Sequence, residues 1–461
     1  QAQPVADALH HRQSLQRGRH QIRRQIIGQP APGRSGAADE LGQGELADLQ
    51  LVAGIVDLGS IQAVSDAYDD WDGEPCRLDR ADDVVDATTA ALAAVYRNHP
   101  GIENVVMVGS DKIIPFARLS DRTLLGNEQN YALTFADDRS TALYAALSGG
   151  TYFSDDPYAD MTPTLVNERL LYAPERAIGR LVEDPQSIIG QLTSFVDLDG
   201  KIRTDTGLVT GYDFVSDSSS QISDRLSLDT TDGFQGPVTS APIELISDTW
   251  NAADLRNVLF PTAGQATGIG AVNGHFSHQG TQSASGSDLG DQADALFIDD
   301  IGDTDFTGSL IFTLGCHSGL SVAEDVSAVL AADWAEAFSR AGAGAYIAQS
   351  GFGYGSSDSV QLTEALLVNF SERLDGNASI GDALRLAKNS YLARVGAGSI
   401  SVYDEKSSQQ AILFGLPFST PDVASPPPPP VAPPSIVLAA VDGTGDLLSG
   451  TAEIVAEIDR R

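Results

Sequence analysis

Five short apolar runs, at residues 207–213, 244–247, 267–274, 309–316 and 344–350, each end in Gly, Asp, Cys or Ser. Amphipathic segments fill the intervals: residues 185–197, 252–260 and 333–342, then two more starting near Ser359 and Ile380. Strands buried on both faces read as continuous apolar runs, and the loops at their carboxyl ends carry function. The pattern therefore predicts an α/β fold, a mostly parallel sheet flanked by helices. An earlier block repeats the theme, with a helix over Asp82–Tyr96 and a buried strand at 104–109. Gly342 and Gly344 suit the sharp return from helix to strand.

The boundaries follow from shifts in composition. Residues 1–55 are rich in Gln, Gly and Arg without periodicity, and are expected to be disordered or outside the folded domain. Two α/β subdomains are expected at 56–200 and 201–422. Residues 423–435 contain SPPPPPVAPP and are expected to form a stiff polyproline linker. Residues 436–461 read as two strands about a Gly-Asp turn, the start of a β-rich module. No apolar window reaches the roughly 18 residues of a membrane span, and no apolar signal-peptide core is visible near Gln1.

Chemistry enters at two strand ends. Cys316 follows the run SLIFTLG and is flanked by Gly315 and Gly319, which places its thiol at the rim of the sheet where a substrate backbone can approach. The simpler alternative is a small buried hydrophobe. His275 ends the preceding run, 41 positions earlier (316 minus 275). Neighbouring strands ending in His and Cys bring an imidazole to a thiol, as thiolate activation requires. His278, three residues on, is a rival for that role.

Two other hydrolase types fit less well. His275, His278, Cys316 and His317 offer zinc ligands but lack the helical HExxH arrangement. Ser277 and Ser318 sit one position out of the GxSxG register. Asp155, Asp156 and Asp160 form an acidic cluster that suits either calcium or a solvated loop. Cys76 is expected to be a non-catalytic thiol; the two cysteines allow at most one disulfide.

The motifs AYDDW (67–71), VVMVGSDKIIPFAR (105–118), YFSDDPYAD (152–160), AIGRL (177–181), LVTGYDF (208–214), NGHFSH (273–278), LGCHSGL (314–320), GFGYG (351–355) and QQAILFGLP (409–417) occur in order. Together they resemble the gingipain family of cysteine peptidases, peptidase family C25 of the caspase-like clan, over roughly residues 56–420. The resemblance implies a caspase-like fold, a cysteine endopeptidase acting on proteins or peptides, and no cofactor for the chemistry. It implies Cys316 as nucleophile, His275 as acid/base, and the amides of Gly274 and Cys316 as oxyanion donors.

One position departs from the pattern: Phe276 stands where the family usually has Gly. By the same resemblance Asp213 orients His275, and Asp224, eleven positions on, recognises an Arg before the scissile bond. A secreted, cell-surface or periplasmic bacterial protein is expected. The alternatives are a catalytically degenerate surface or adhesion module of the same fold and a caspase-like domain acting inside the cell. The formal charge of −35, from 63 acidic against 28 basic residues, argues against nucleic acid as a partner.

Overall fold

The computed structural model describes residues 53–227, 236–262, 264–285, 294–322, 326, 332–396, 398–423 and 435–440. Ten strands form one central sheet: β1 (Ala53–Asp57), β2 (Ile102–Val108), β3 (Ala177–Leu181), β4 (Gly207–Gly211), β5 (Ile243–Ile246), β6 (Ile269–Val272), β7 (Leu310–Phe312), β8 (Ala345–Gln349), β9 (Ala411–Gly415) and β10 (Ser435–Ala440). Their order across the sheet is β1-β10-β2-β3-β9-β8-β7-β6-β4-β5. Every neighbouring pair is parallel except β8 with β9. The sheet is thus two parallel blocks of opposite direction, joined at one antiparallel seam. Ser435–Ala440, the stretch expected to open a separate β module, lies between β1 and β2. Residues 1–52, the Pro-rich run at 424–434 and residues 441–461 fall outside the described part.

Alternation along the strands builds two cores. Leu208, Val272, Ile311 and Tyr346 face one side, where Leu255 of α5 (Ala252–Leu259) and Trp334 and Phe338 of α6 (Trp334–Arg340) cover them. Val209, Ala271, Phe312 and Ile347 face the other, under α4 (Ser216–Leu226), α7 (Leu362–Ser371) and α8 (Ile380–Val395). In the first block Val105 and Met107 pack on α2 (Leu78–Asn98), beside which lies α1 (Gln62–Gly73). Val106 packs on α3 (Pro185–Asp197). Local chemistry sets the helix starts. Asp184 accepts from the Gln186 and Ser187 amides ahead of Pro185, and Asn251 and Asp254 cap α5 reciprocally.

A buried ion pair anchors the first block. Arg180 of β3, fully buried, meets Asp155 Oδ1 at 2.5 Å and donates to the carbonyls of Gly109 and Ile114 at 2.8 and 2.7 Å. Every polar partner is satisfied, so removal of one charge strands the other in a medium that cannot solvate it. Arg180→Ala should lose about 3–5 kcal/mol of stability, read as a lower denaturant midpoint. A loss under about 1 kcal/mol would show that water reaches the pair.

Candidate active site

Strands β6 and β7 run side by side with Ala271 opposite Phe312. His275 and Cys316 each lie four residues beyond that pair, so the two chains leave the sheet in step. The loops are then tied together. The Leu314 amide donates to Asn273 Oδ1 at 3.3 Å, and Thr210 at the end of β4 donates to the Asn273 carbonyl at 2.8 Å. Phe276 lies so close over Gly315 that a Cβ there would enter its ring, and its other side meets Trp334 at 5.8 Å. This contact accounts for Phe276: the ring wedges the His loop against the Cys loop. Trp334 Nε1 also donates to the Ser277 carbonyl at 3.1 Å.

Cys316 is half-buried, with its Sγ 3.8 Å from the Gly353 carbonyl. Burial pushes the thiol up from its ordinary value; the contact with Gly353 works against the rise, the negative charge of Glu128 adds to it, and Lys406 offsets part of that charge. The His275 ring sits between Tyr212 and Phe214, with centroids 5.6 and 5.9 Å away, and its amide donates to Tyr212 Oη at 2.9 Å. Burial lowers the His275 pKa, while the charge of Asp213 acts in the opposite sense. Both shifts favour the uncharged forms, thiol and imidazole. Among the described residues no backbone carbonyl accepts from the amides of Gly274 or Cys316, and the Cys316 amide is turned toward its own Sγ. Gly274 is itself pressed against the Tyr212 ring, where a Cβ would come within 2.9 Å.

Asp213 lies at the end of β4, next to β6, exposed and in a left-handed conformation at φ 54°. Its amide is held by Asp248 at 2.8 Å. Among the described residues no hydrogen bond joins it to His275, so it acts on the ring through space.

Several other expected site residues stand elsewhere. Asp224 is exposed in the last turn of α4, eight residues past Ser216 (224 minus 216), or about 12 Å along the helix. That end of α4 packs near the start of β4: the Val238 amide donates to Leu226 at 3.1 Å, and Val238 lies against Gly207. Asp224 thus belongs to the edge of the sheet opposite Cys316 and does not line the cleft.

The Asp155, Asp156 and Asp160 cluster is corrected in the same way. Asp155 is paired with Arg180, Asp156 with Lys388 at 2.6 Å, and Asp160 accepts from the Thr162 and Ala173 amides. Their carboxylates serve different partners instead of converging, and among the described residues no three His, Cys, Asp or Glu side chains converge as metal ligands. His278 is buried, with Nδ1 2.7 Å from Tyr131 Oη. His317 is buried too, stacked 3.4 Å from Tyr131 with Nε2 2.8 Å from Glu128. Both rings are occupied in packing the Cys and His loops onto residues 128–135, which sets the zinc arrangement aside.

The 351–355 loop forms the facing wall. A Cβ on Gly353 would run into the Leu314 carbonyl, and one on Gly355 into Phe214 and Glu364. These glycines let the wall approach the nucleophile loop. Glu128 was not legible as a site residue, since its partner His317 lies 189 positions away and nothing local marks it.

Three comparisons bear on this geometry. The profile of peptidase family C25 matches residues 56–419. A chain in the crystal structure of the Saccharomyces cerevisiae separase–securin complex is 12% identical with a TM-score of 0.33, covering 53% of this chain. This chain spans 14% of that one. No curated protein matches.

Because burial raises the thiol, alkylation of Cys316 by iodoacetamide should have its midpoint above the roughly 8.5 of a free cysteine. Peptide mass spectrometry separates it from Cys76. A midpoint well below 8 would mean a preformed thiolate and contradict the neutral pair.

Proposed function

The chain belongs to peptidase family C25, a family of cysteine peptidases, and from that premise we propose that it is an endopeptidase using a Cys316–His275 dyad. The observation that carries this reading is the matched register of β6 and β7, which delivers the two side chains to one edge of the sheet. In acylation Sγ bonds to the scissile carbonyl carbon, and the developing oxyanion meets the Gly274 and Cys316 amides. The thiol proton passes by way of His275 to the leaving amine as the C–N bond breaks. Water then attacks the thioester, restoring the thiol and releasing the acid. Neutral His275 can accept a proton before it donates one, which its lowered pKa favours. Asp213 favours the transient imidazolium.

A preference for Arg before the scissile bond needs a carboxylate near the cleft, and Asp224 is on the wrong edge. Asp217 and Glu364 are better placed. Glu364 lies behind Gly355 and Phe214, bonded by Ser218 at 3.2 Å and the Ser356 amide at 2.9 Å, and burial raises it to about 7. Asp217, exposed and beside Ser218, adds to that rise and offers the accessible charge.

With Arg, Lys, Asp and Asn peptides, Cys316→Ala and His275→Ala should each lower kcat by at least about a thousandfold. Cleavage surviving in Cys316→Ala would overturn the dyad, and a wild type inactive on all peptides would favour a degenerate module. Asp217→Asn should lower kcat/KM for Arg peptides about tenfold, the worth of a charge-assisted bond. Asp224→Asn should change it less than about twofold; the reverse ranking would restore Asp224 to the pocket.

A further inference from the structure

Glu128, fully buried, gathers parts of the molecule that are far apart in sequence. Its Oε2 meets His317 Nε2 at 2.8 Å, and its Oε1 accepts the Phe352 amide at 2.9 Å and lies 2.6 Å from Lys406 Nζ. His317 follows the nucleophile directly. Phe352 stands next to Gly353, whose carbonyl faces Cys316 Sγ. A single carboxylate therefore grips both walls of the cleft. Its own position is fixed from behind: Lys406 of α9 (Val402–Gln409) is held by Asp121 at 2.7 Å, and Asp121 accepts the Glu128 amide at 2.9 Å. Tyr131, one turn on, stacks over the far face of the His317 ring. Gly351 has no room for a Cβ because Glu128 Oε1 occupies the place.

Resting on the peptidase reading, we propose that Glu128 is the positioning residue of the active site, setting the gap between the Cys316 and Gly353 walls and contributing the fixed negative charge behind the nucleophile. Asp121, Glu128 and Lys406 together carry one net negative charge in a buried cluster. Burial holds His317 below its ordinary pKa, so the ring is neutral and does not cancel that charge. Among the described residues the other titratable groups facing the cluster or the thiol include Tyr131, Tyr152, Tyr212, Tyr354 and His275, all neutral at pH 7. Loss of the Glu128 charge should thus ease ionisation of the thiol while spoiling its placement, two effects of opposite sign on reactivity.

Glu128→Gln separates them. It keeps an acceptor for Phe352 and Lys406 but turns an amide donor toward His317. The kcat should fall about 10- to 100-fold with KM within about threefold, as for a supporting shell that fixes geometry. The alkylation midpoint of Cys316 should move down by about one unit. A purely structural residue would not shift that midpoint. His317→Gln, which leaves the three charges in place, should lower kcat likewise and leave the midpoint unmoved; Glu128→Asp should recover part of kcat.

A folded Glu128→Gln protein with wild-type kcat, or with an unchanged alkylation midpoint, overturns the proposal, as does a His317→Gln protein with wild-type kcat. If the wild type proves to have no peptidase activity, the dyad reading fails, and the alkylation shift still decides whether Glu128 supplies the charge at Cys316.

Discussion

The antiparallel seam between β8 and β9 is the constraint on which the site depends. Gln349 at the end of β8 pairs with Ala411 at the start of β9. The carboxyl edge of one parallel block is thereby set level with the amino edge of the other, and segments entering the first block pass over the loops that leave the second. The motif preceding β9 makes the junction. Gln410 donates through Nε2 to the Phe352 carbonyl at 2.7 Å, and its own carbonyl accepts the Ser350 amide at 3.0 Å. Gln409 reaches Tyr152 Oη at 3.1 Å, and Ser154 donates to the Gln409 carbonyl at 2.6 Å. Side-chain amides suit such a junction because they can donate or accept: Gln410 donates to a carbonyl, while Gln409 Oε1 accepts the Tyr172 amide at 2.9 Å. The facing wall of the cleft is thus built partly from the entry to β9.

This seam was the least legible part of the fold. Apolar runs reveal that a strand exists and how buried it is, but not which way it points. The runs that became β4 to β8 were readable because each is short, apolar and closed by a turn residue. The helix at Pro185–Asp197 was readable to its ends, since Asp184 and Pro185 mark its start. Residues 411–415 read only as part of a motif. Their reversed direction appears only in the pairing with chain 62 to 70 positions earlier (411 minus 349, 415 minus 345), which no local pattern encodes.

The site shows the same division. That Cys316 and His275 leave neighbouring strands at the same edge was legible, because strand-end position is a local property and the register of adjacent strands carries it across. Asp224 misled because a spacing of eleven residues says nothing of the helix that occupies it: α4 carries that carboxylate away from the cleft instead of into it. Asp155 and Asp156 misled for a related reason. Acidic residues in a row suggest a cation, and the cations proved to be Arg180 and Lys388, 25 and 232 positions distant. Charge is visible in sequence; the partner that neutralises it is not.

A neutral thiol with a raised pKa is a slow nucleophile at rest, and this bears on how the proposed dyad would work. Thiolate is both the species that attacks carbonyls and the species that oxidants consume. Burial of Cys316 and the charge of Glu128 keep its population low in the empty site. On the proposed dyad, a bound peptide would set its carbonyl carbon beside Sγ, so that the proton leaves the thiol as the bond to carbon forms and no standing thiolate is needed. His275, kept neutral by its aromatic neighbours, is then ready to take the proton as the S–C bond forms. Such a concerted transfer would depend on the placement of the thiol, and so on the spacing of the two walls. The glycines at 353 and 355 permit that spacing, and the buried carboxylate of Glu128 maintains it.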